Sequence, residues 1–278
     1  MSLEFFGATD VGRKRETNED DFLCADLSTE APGFDRPLSL LLVADGVGGH
    51  QAGGRASSLA AESIRDFFRP RLRGLPPDPD WTGLLSQACR EANERIHRLA
   101  GQESELNGMG STVVAALVDG GTAYAVNVGD SRIYRVGSRA LLQVSRDHSW
   151  AEEQRRVNSL SEEEINVSPF KHMITRSLGY EPRVEVDSYR LVLEEGDYLL
   201  LCSDGLYGVL SEEAMLKEIR KNKRPEKICR RLIEEANRAG SRDNITAVVA
   251  LYRRGGAKRS DLPSRTVSLE AGKGGWRF

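Results

Sequence analysis

Cysteine and histidine are both scarce in this sequence. The 278 residues include four of each. The cysteines form no CxxC pair and the histidines show no ligand spacing, which argues against a structural zinc site. Unpaired thiols are typical of a reducing compartment, so we expect a cytoplasmic protein. The four cysteines are Cys24, Cys89, Cys202 and Cys229.

Long hydrophobic runs and an excess of one charge are also absent. The longest apolar run, residues 38–44, is interrupted by Ser39 and fits a buried strand better than a membrane span. The N-terminus has an early acid and no basic segment, unlike a signal peptide. The net charge of −3 leaves no basic excess for phosphate backbones. We therefore expect no membrane insertion and no nucleic-acid partner.

The composition, with 39% hydrophobic and 29% charged residues, suits a globular domain with a core. Short runs rich in Val, Leu and Tyr predict strands joined by short turns. Helical periodicity comes in pairs, at 55–68 with 83–100 and at 212–220 with 225–239. Pairing of this kind differs from strict β-α-β alternation and favours an α+β fold of antiparallel sheets covered by helices. The predicted strands are 38–44, 112–118, 123–128, 132–136, 141–144, 189–193, 198–202 and 245–252.

We predict one folded domain over residues 1–254 and a polar, basic, disordered tail over 255–278. Inside the domain, residues 146–185 are polar and helix-prone, with a capping box at Ser161 and Glu164. This segment is interpreted as a surface flap. An ordinary pair of surface helices is the alternative that its pattern leaves open.

Aspartates stand at the edges of four predicted strands. Asp45, Asp130 and Asp204 each follow an apolar run, and Asp243 precedes one. A single Asp-Gly after a strand is a common turn signal, and Asp119 with Gly120 is interpreted as such a turn.

The set of strand-end aspartates indicates more than turns, because strand ends of a sandwich can converge on one edge. Carboxylates gathered there repel each other unless cations lie between them. Ligands that are all oxygen favour Mg²⁺ or Mn²⁺.

A second acidic site, Glu19 with Asp20, follows a basic stretch that includes Arg15. Mixed charges of this kind often form only a solvated loop. An arginine beside acids can, however, grip a phosphate with two hydrogen bonds while cations hold the other phosphate oxygens.

Taken together, these motifs resemble the metal-dependent serine/threonine protein phosphatases of type 2C, especially the compact bacterial ones. Eight segments occur in the order found in that family and span roughly residues 5–252. They are residues 15–20 (RETNED), 43–49 (VADGVGG), 110–112 (GST), 129–132 (GDSR), 147–149 (DHS), 175–179 (TRSLG), 203–205 (SDG) and 241–244 (SRDN).

The resemblance implies a four-layer α-β-β-α sandwich, with residues 1–254 as the catalytic domain and residues 146–185 as a flap beside the active site. It also implies two or three Mn²⁺ or Mg²⁺ ions. Asp45 would bridge two of them, the main-chain carbonyl of Gly46 would bind the second, and Asp204 with Asp243 would complete the first.

Four further roles follow from the same resemblance. Asp130, with help from Asp204, would bind a third ion. Glu19 and Asp20 would hold metal-bound waters, and Arg15 would bind the substrate phosphate. Val47 stands where many eukaryotic members have a histidine that acts as general acid. His50 or a metal-bound water could supply that proton instead, and the sequence leaves both open.

The implied activity is hydrolysis of phosphoserine and phosphothreonine on proteins, by attack of a hydroxide that bridges two metal ions. The implied partners are phosphorylated proteins and a serine/threonine kinase that the enzyme opposes in bacterial signal transduction. Two alternatives remain at this stage. One is a catalytically weak scaffold that binds phosphoproteins, and the other is a phosphatase acting on a small phosphorylated metabolite.

Overall fold

The computed structural model describes residues 2–29, 37–48 and 51–254 of the protein. The predicted tail at 255–278 and the candidate acid His50 lie outside the described residues. Eleven strands and seven α-helices occupy the described ranges, and their bounds follow chain order. The strands are β1 Ser2–Asp10, β2 Asp20–Asp26, β3 Leu38–Val47, β4 Gly110–Ser111, β5 Val113–Asp119, β6 Thr122–Val128, β7 Arg132–Val136, β8 Leu141–Gln143, β9 Asp187–Val192, β10 Tyr198–Cys202 and β11 Ile245–Arg253. The helices are α1 Gln51–Arg71, α2 Trp81–Gln102, α3 Trp150–Val157, α4 Glu162–Val167, α5 Asp204–Tyr207, α6 Glu212–Lys221 and α7 Pro225–Ala239.

The strands form two antiparallel sheets. The first sheet has the order β1-β11-β10-β7-β8, and the second has the order β2-β3-β5-β6-β9, with the short β4 paired to β3. Helices α1 and α2 cover the outer face of the second sheet, and α6 and α7 cover that of the first. The predicted α+β sandwich is therefore confirmed.

Three hydrophobic cores separate the four layers. Side chains alternate along each strand, so successive residues of β3 enter different cores. Leu40 and Leu42 pack against α1 and α2, whereas Leu41 and Val43 lie between the two sheets. Full burial of a leucine contributes about 1.5–3 kcal/mol, so a strand that is apolar on both faces stabilises two cores at once. This arrangement explains why β3 reads as a continuous apolar run.

All eight predicted strands occur within a few residues of their predicted bounds, whereas β1, β2 and β4 were not predicted. The helix ends follow local sequence signals. Pro225 is the first residue of α7, and Gly240 ends that helix in a left-handed conformation at φ 88°. The predicted capping box of Ser161 and Glu164 opens α4.

All four cysteines are buried and unpaired. Within the described ranges, no helix combines the length and the apolar character needed to cross a bilayer.

Candidate active site

The predicted acidic residues meet at one edge of the sandwich, which we call the rim. It consists of the C-terminal ends of β3, β6 and β10 and the N-terminal ends of β2 and β11. Antiparallel pairing brings these ends together, because each strand that leaves the rim lies beside one that returns to it. The carboxylates at the rim belong to Glu19, Asp20, Asp45, Asp130, Asp204 and Asp243.

Asp20 links the rim ends of the two sheets. It is the first residue of β2 and is paired in register with Asp45 of β3. Its Oδ2 accepts hydrogen bonds from Ser203 Oγ at 2.7 Å, directly after β10, and from Thr246 Oγ1 at 2.6 Å, in β11 of the first sheet. Burial and the charges of Asp204 and Asp243 raise the pKa of Asp20 to about 7, although these two hydrogen bonds oppose the shift.

The backbone around Asp45 is fixed by the segment that contains β4. Asp45 N–H donates to Thr112 Oγ1 at 3.1 Å, and Thr112 N–H donates back to the Asp45 carbonyl at 2.8 Å. Ser111 Oγ donates to the same carbonyl at 3.1 Å. The next residue must be glycine, because a Cβ on Gly46 would lie 2.1 Å from the carbonyl oxygen of Gly53. Asp45 is therefore held where β3 meets the start of α1.

Burial, together with repulsion between like charges, governs the protonation of the rim carboxylates. Burial and the charges of neighbouring aspartates raise the pKa of Asp45 well above its ordinary value. The same causes raise the pKa of Asp130 to about 7 and that of Asp204 to about 6. So many carboxylates in a partly dehydrated space favour bound protons or bound cations.

The donor set fits divalent ions that keep part of their water. Asp204 Oδ1 is buried and accepts no hydrogen bond in the described part of the chain, so it remains available as a ligand. No three carboxylate, histidine or cysteine side chains among the described residues converge closely enough to hold an ion alone. Water and main-chain oxygens would therefore complete the coordination shell, as is usual for Mg²⁺.

Arg15 is the cation that the rim presents at its outer side. Its Nη2 donates to Asp243 Oδ2 at 2.8 Å, and both side chains are roughly half exposed. This hydrogen bond is the main cause of the raised pKa of Arg15, with smaller contributions from the Asp243, Glu19 and Asp45 charges. The guanidinium is thus charged, accessible and adjacent to the carboxylates, as a phosphate-binding group should be.

Asn244 positions the loop that carries Arg15, a role that the sequence did not reveal. Its Oδ1 accepts from Glu19 N–H at 2.9 Å. Its Nδ2 donates to the carbonyls of Val11 at 2.9 Å and Thr17 at 3.0 Å. One buried amide therefore fixes both ends of residues 11–19 against the start of β11. The only sequence signal was its place beside Asp243 in the SRDN segment.

Asp130 is positioned by residues that were not predicted to have a role. Tyr207, in the helix that begins with Asp204, donates its hydroxyl to the Asp130 carbonyl at 2.9 Å. The guanidinium of Arg132 lies 3.7 Å from the centre of the Tyr207 ring and pairs with Asp147 at 2.7 Å. These contacts join two predicted ligand segments to the first residues of segment 146–185, for which we keep the name flap from the sequence interpretation.

His148 attaches the flap to the rim. Its Nδ1 accepts from Gly129 N–H at 3.0 Å, next to Asp130. Its Nε2 lies 3.0 Å from Arg176 Nη1 and 3.3 Å from Asp187 Oδ2. Between these anchors, α3 and α4 lie on the surface and leave several large apolar side chains exposed. These are Val157, Leu160, Val167, Phe170, Met173 and Tyr180.

The fold and the rim define the class of metal-dependent phosphatases, and comparison with known proteins identifies the family. The sequence profile described as Protein phosphatase 2C matches residues 5–245. The serine/threonine phosphatase stp of Listeria monocytogenes is 37% identical over 250 residues, covering 90% of this chain and 95% of that protein. The chain therefore belongs to the protein phosphatase 2C family.

Solved structures agree with this assignment. Serine/threonine phosphatase Stp1 from Staphylococcus aureus matches with a TM-score of 0.82 at 30% identity, covering 91% of this chain and 96% of that one. The catalytic domain of the phosphatase PstP, in complex with two manganese ions, matches with a TM-score of 0.75 at 32% identity, covering 90% and 97%. The predicted family, fold and enzyme class, a serine/threonine protein phosphatase, are thereby confirmed.

Proposed function

We propose that this protein hydrolyses phosphoserine and phosphothreonine in other proteins, and that the rim is its active site. The observation that carries this proposal is the concentration of aspartates with raised pKa values beside one accessible arginine. A rim of this charge repels a phosphate unless cations are bound. With cations in place it offers both the positive charge and the donors that a phosphoryl group requires.

The ligands we propose are those implied by the sequence motifs. Asp45, Asp204, Asp243 and the carbonyl of Gly46 would hold two Mn²⁺ or Mg²⁺ ions. Asp130, with Asp204, would hold a third. Bound divalent ions would lower the pKa of water and neutralise developing negative charge on the phosphoryl oxygens.

The remaining side chains orient the reactants. Arg15 would donate two hydrogen bonds to the phosphate, which places phosphorus in line with the attacking water. Glu19 and Asp20 would accept hydrogen bonds from water at the rim, and the contacts of Asp20 with Ser203 and Thr246 keep its carboxylate oriented. The products would be the free hydroxyl side chain and inorganic phosphate. No covalent enzyme intermediate is required.

We further propose that the enzyme acts in the cytoplasm and opposes a serine/threonine kinase. The four unpaired, buried thiols are consistent with a reducing compartment. The accessible rim and the exposed apolar side chains of the flap suit a protein surface better than a small metabolite, which proteins usually enclose in a pocket.

A panel of substrates tests the proposed function. Wild-type protein should release phosphate from phosphothreonine and phosphoserine peptides with Mn²⁺ or Mg²⁺, and EDTA should abolish the release. Sugar phosphates and nucleotides should have a much lower kcat/KM. A preference for small phosphates would favour the metabolite alternative. Peptide binding without turnover, with every metal tested, would favour the scaffold.

A further inference from the structure

A small cleft with only positive charge opens between α1 and α2. Its volume is about 190 Å³, and three of its six lining residues are arginines, whereas none is acidic. The chain as a whole carries a net charge of −3, so this concentration of guanidinium groups is a local feature. The lining residues are Arg55, Leu59, Arg95, Arg98, Leu99 and Gln102.

The arginines of this cleft have few partners of their own. Arg95 Nη1 donates to Ser63 Oγ at 3.1 Å. Arg55 and Arg98 form no ion pair or side-chain hydrogen bond with any residue that the structure describes. Both are exposed, so their donors are available to an incoming anion.

A neighbouring cleft provides a contrast within the same helix pair. It has a volume of about 500 Å³ and combines arginines with Asp66, Glu91 and Glu94. There, Arg71 pairs with Glu91 at 3.3 Å and lies 3.8 Å from the centre of the Phe67 ring. Arg95 and Arg98 line both clefts, so two arginines of the smaller cleft also lie beside the acids of the larger one, whereas Arg55 lines the smaller cleft and not the larger.

The smaller cleft lies at the same end of the helix pair as the rim. Arg55 follows Gly53 by two residues, and a Cβ on Gly53 would lie 3.0 Å from the carbonyl of Gly46. On α2, the backbone of Gly179 at the end of the flap packs closely on Ile96, which is next to Arg95. A substrate peptide that has one phosphate at the rim could therefore extend past the start of α1 into this cleft.

We propose that the cleft binds a second phosphate group of the protein substrate, on a side chain near the one being hydrolysed. This inference rests on the proposed function. Paired guanidinium groups match phosphate oxygens in geometry and charge, and several of them suit a dianion better than a single carboxylate. Leu99, which is half-buried, would contact an apolar part of the same peptide. The enzyme would then prefer multiply phosphorylated proteins.

A set of phosphothreonine peptides tests the preference for a second phosphate. Each contains the same phosphothreonine, followed after a short or a long spacer by phosphoserine, glutamate or alanine. With the best spacer, the second phosphate should raise kcat/KM about tenfold over alanine, mainly by lowering KM, and glutamate should raise it less. The gain should shrink at high ionic strength because these contacts are exposed.

Arginine variants assign the preference to the cleft. Arg55→Ala and Arg98→Ala should each reduce the tenfold ratio, and the double variant should bring it to about one. Arg73→Ala is the matched control, because Arg73 is exposed and lies just beyond the opposite end of α1, which rises roughly 24 Å between Arg55 and its last residue. Its ratio should equal that of the wild type.

The outcomes separate this inference from the proposed function. Turnover of the alanine peptide with no gain from a second phosphate, at any spacer, would overturn the inference and leave the proposed function intact. If no peptide were turned over, anisotropy with a labelled, doubly phosphorylated peptide would still decide the matter. Equal affinity of wild type and the Arg55→Ala/Arg98→Ala variant would overturn the inference.

Discussion

Asp20 and Asp45 face each other across the antiparallel pair of β2 and β3. Their carboxylates repel: after burial, the charge of Asp20 is the largest cause of the raised pKa of Asp45. Hydrogen bonds from Ser203 and Thr246 hold Asp20 in place from the opposite sheet. The fold therefore brings like charges together by strong local constraints, and such an arrangement favours bound cations or protons.

Cation binding should stabilise the folded protein. Mn²⁺ at 100 times its Kd should raise the free energy of unfolding by about 2.7 kcal/mol, because the ions bind the folded state only. Asp45→Asn should melt at a higher temperature than wild type in EDTA, since one repulsive charge is gone, and should gain less from Mn²⁺. Thermal unfolding with and without Mn²⁺ measures both effects. Asp78→Asn, in an exposed loop, is the control and should behave like wild type.

Arg15→Ala should weaken substrate binding more than it slows turnover. We expect KM for a phosphothreonine peptide to rise by roughly tenfold or more, because a charge-assisted phosphate contact is lost. Steady-state kinetics at saturating Mn²⁺ separate KM from kcat. The neighbouring Arg13→Ala is the control for loss of loop charge. Equal effects of the two substitutions would argue against a specific role for Arg15.

Asn244→Ala should disturb the Arg15 loop without removing any predicted ligand. It leaves the Glu19 N–H and the carbonyls of Val11 and Thr17 without their partner. Unfolding free energy should fall by about 3 kcal/mol, and KM should rise in the same direction as in Arg15→Ala. Denaturant unfolding and kinetics provide the two readouts. Asn222→Ala, which removes one hydrogen bond at the end of α6, should change neither KM nor kcat.

A single Asp-Gly pair does not show whether its aspartate belongs to a turn or to the rim. Only the whole set of strand-end aspartates indicated a site. Asp119 and Gly120 form the predicted turn: Asp119 pairs with Thr122 across the hairpin and accepts from Trp81 Nε1 at 2.8 Å. Asp45 also precedes a glycine, yet it lies at the rim. Local sequence is the same in the two cases. The difference lies in which sheet edge the strand reaches, and that depends on the whole topology.

Strand β2 shows why the pairing of Asp20 with Asp45 could not be predicted from the sequence. Its seven residues begin and end with aspartate, so the segment resembles a solvated loop although its middle residues are buried. The register that places Asp20 opposite Asp45 therefore has no local signal. The same applies to Tyr207, because its hydroxyl binds a main-chain carbonyl 77 residues away and main-chain acceptors have no sequence signature.

The attachment of the flap should weaken at acid pH. Burial and the nearby Arg176 charge lower the pKa of His148 from its ordinary value of 6.5, although Asp187 partly opposes the shift. The unfolded segment therefore binds a proton at a higher pH than the folded one, so this stability is fully present above about pH 6.5 and is lost as the pH falls from there through the lower pKa of the folded state. Protection factors in residues 146–187, which are corrected for the pH dependence of intrinsic exchange, should fall between pH 7.5 and pH 5.5.

His148→Gln provides the comparison for this pH dependence. Glutamine can accept from the Gly129 N–H but does not titrate, so the loss of protection at acid pH should be smaller in this variant. Exchange in α7, which covers the outer face of the first sheet, serves as an internal reference. An unchanged pH response in His148→Gln would show that another group controls the flap.

The most direct test of the rim as a cation-dependent active site is phosphate release from a phosphothreonine peptide by wild type and Asp45→Asn at the same Mn²⁺ concentration. The variant should retain its fold and lose turnover by about a thousandfold, because it removes the carboxylate proposed to bridge two ions. A folded Asp45→Asn protein with wild-type turnover would contradict the account.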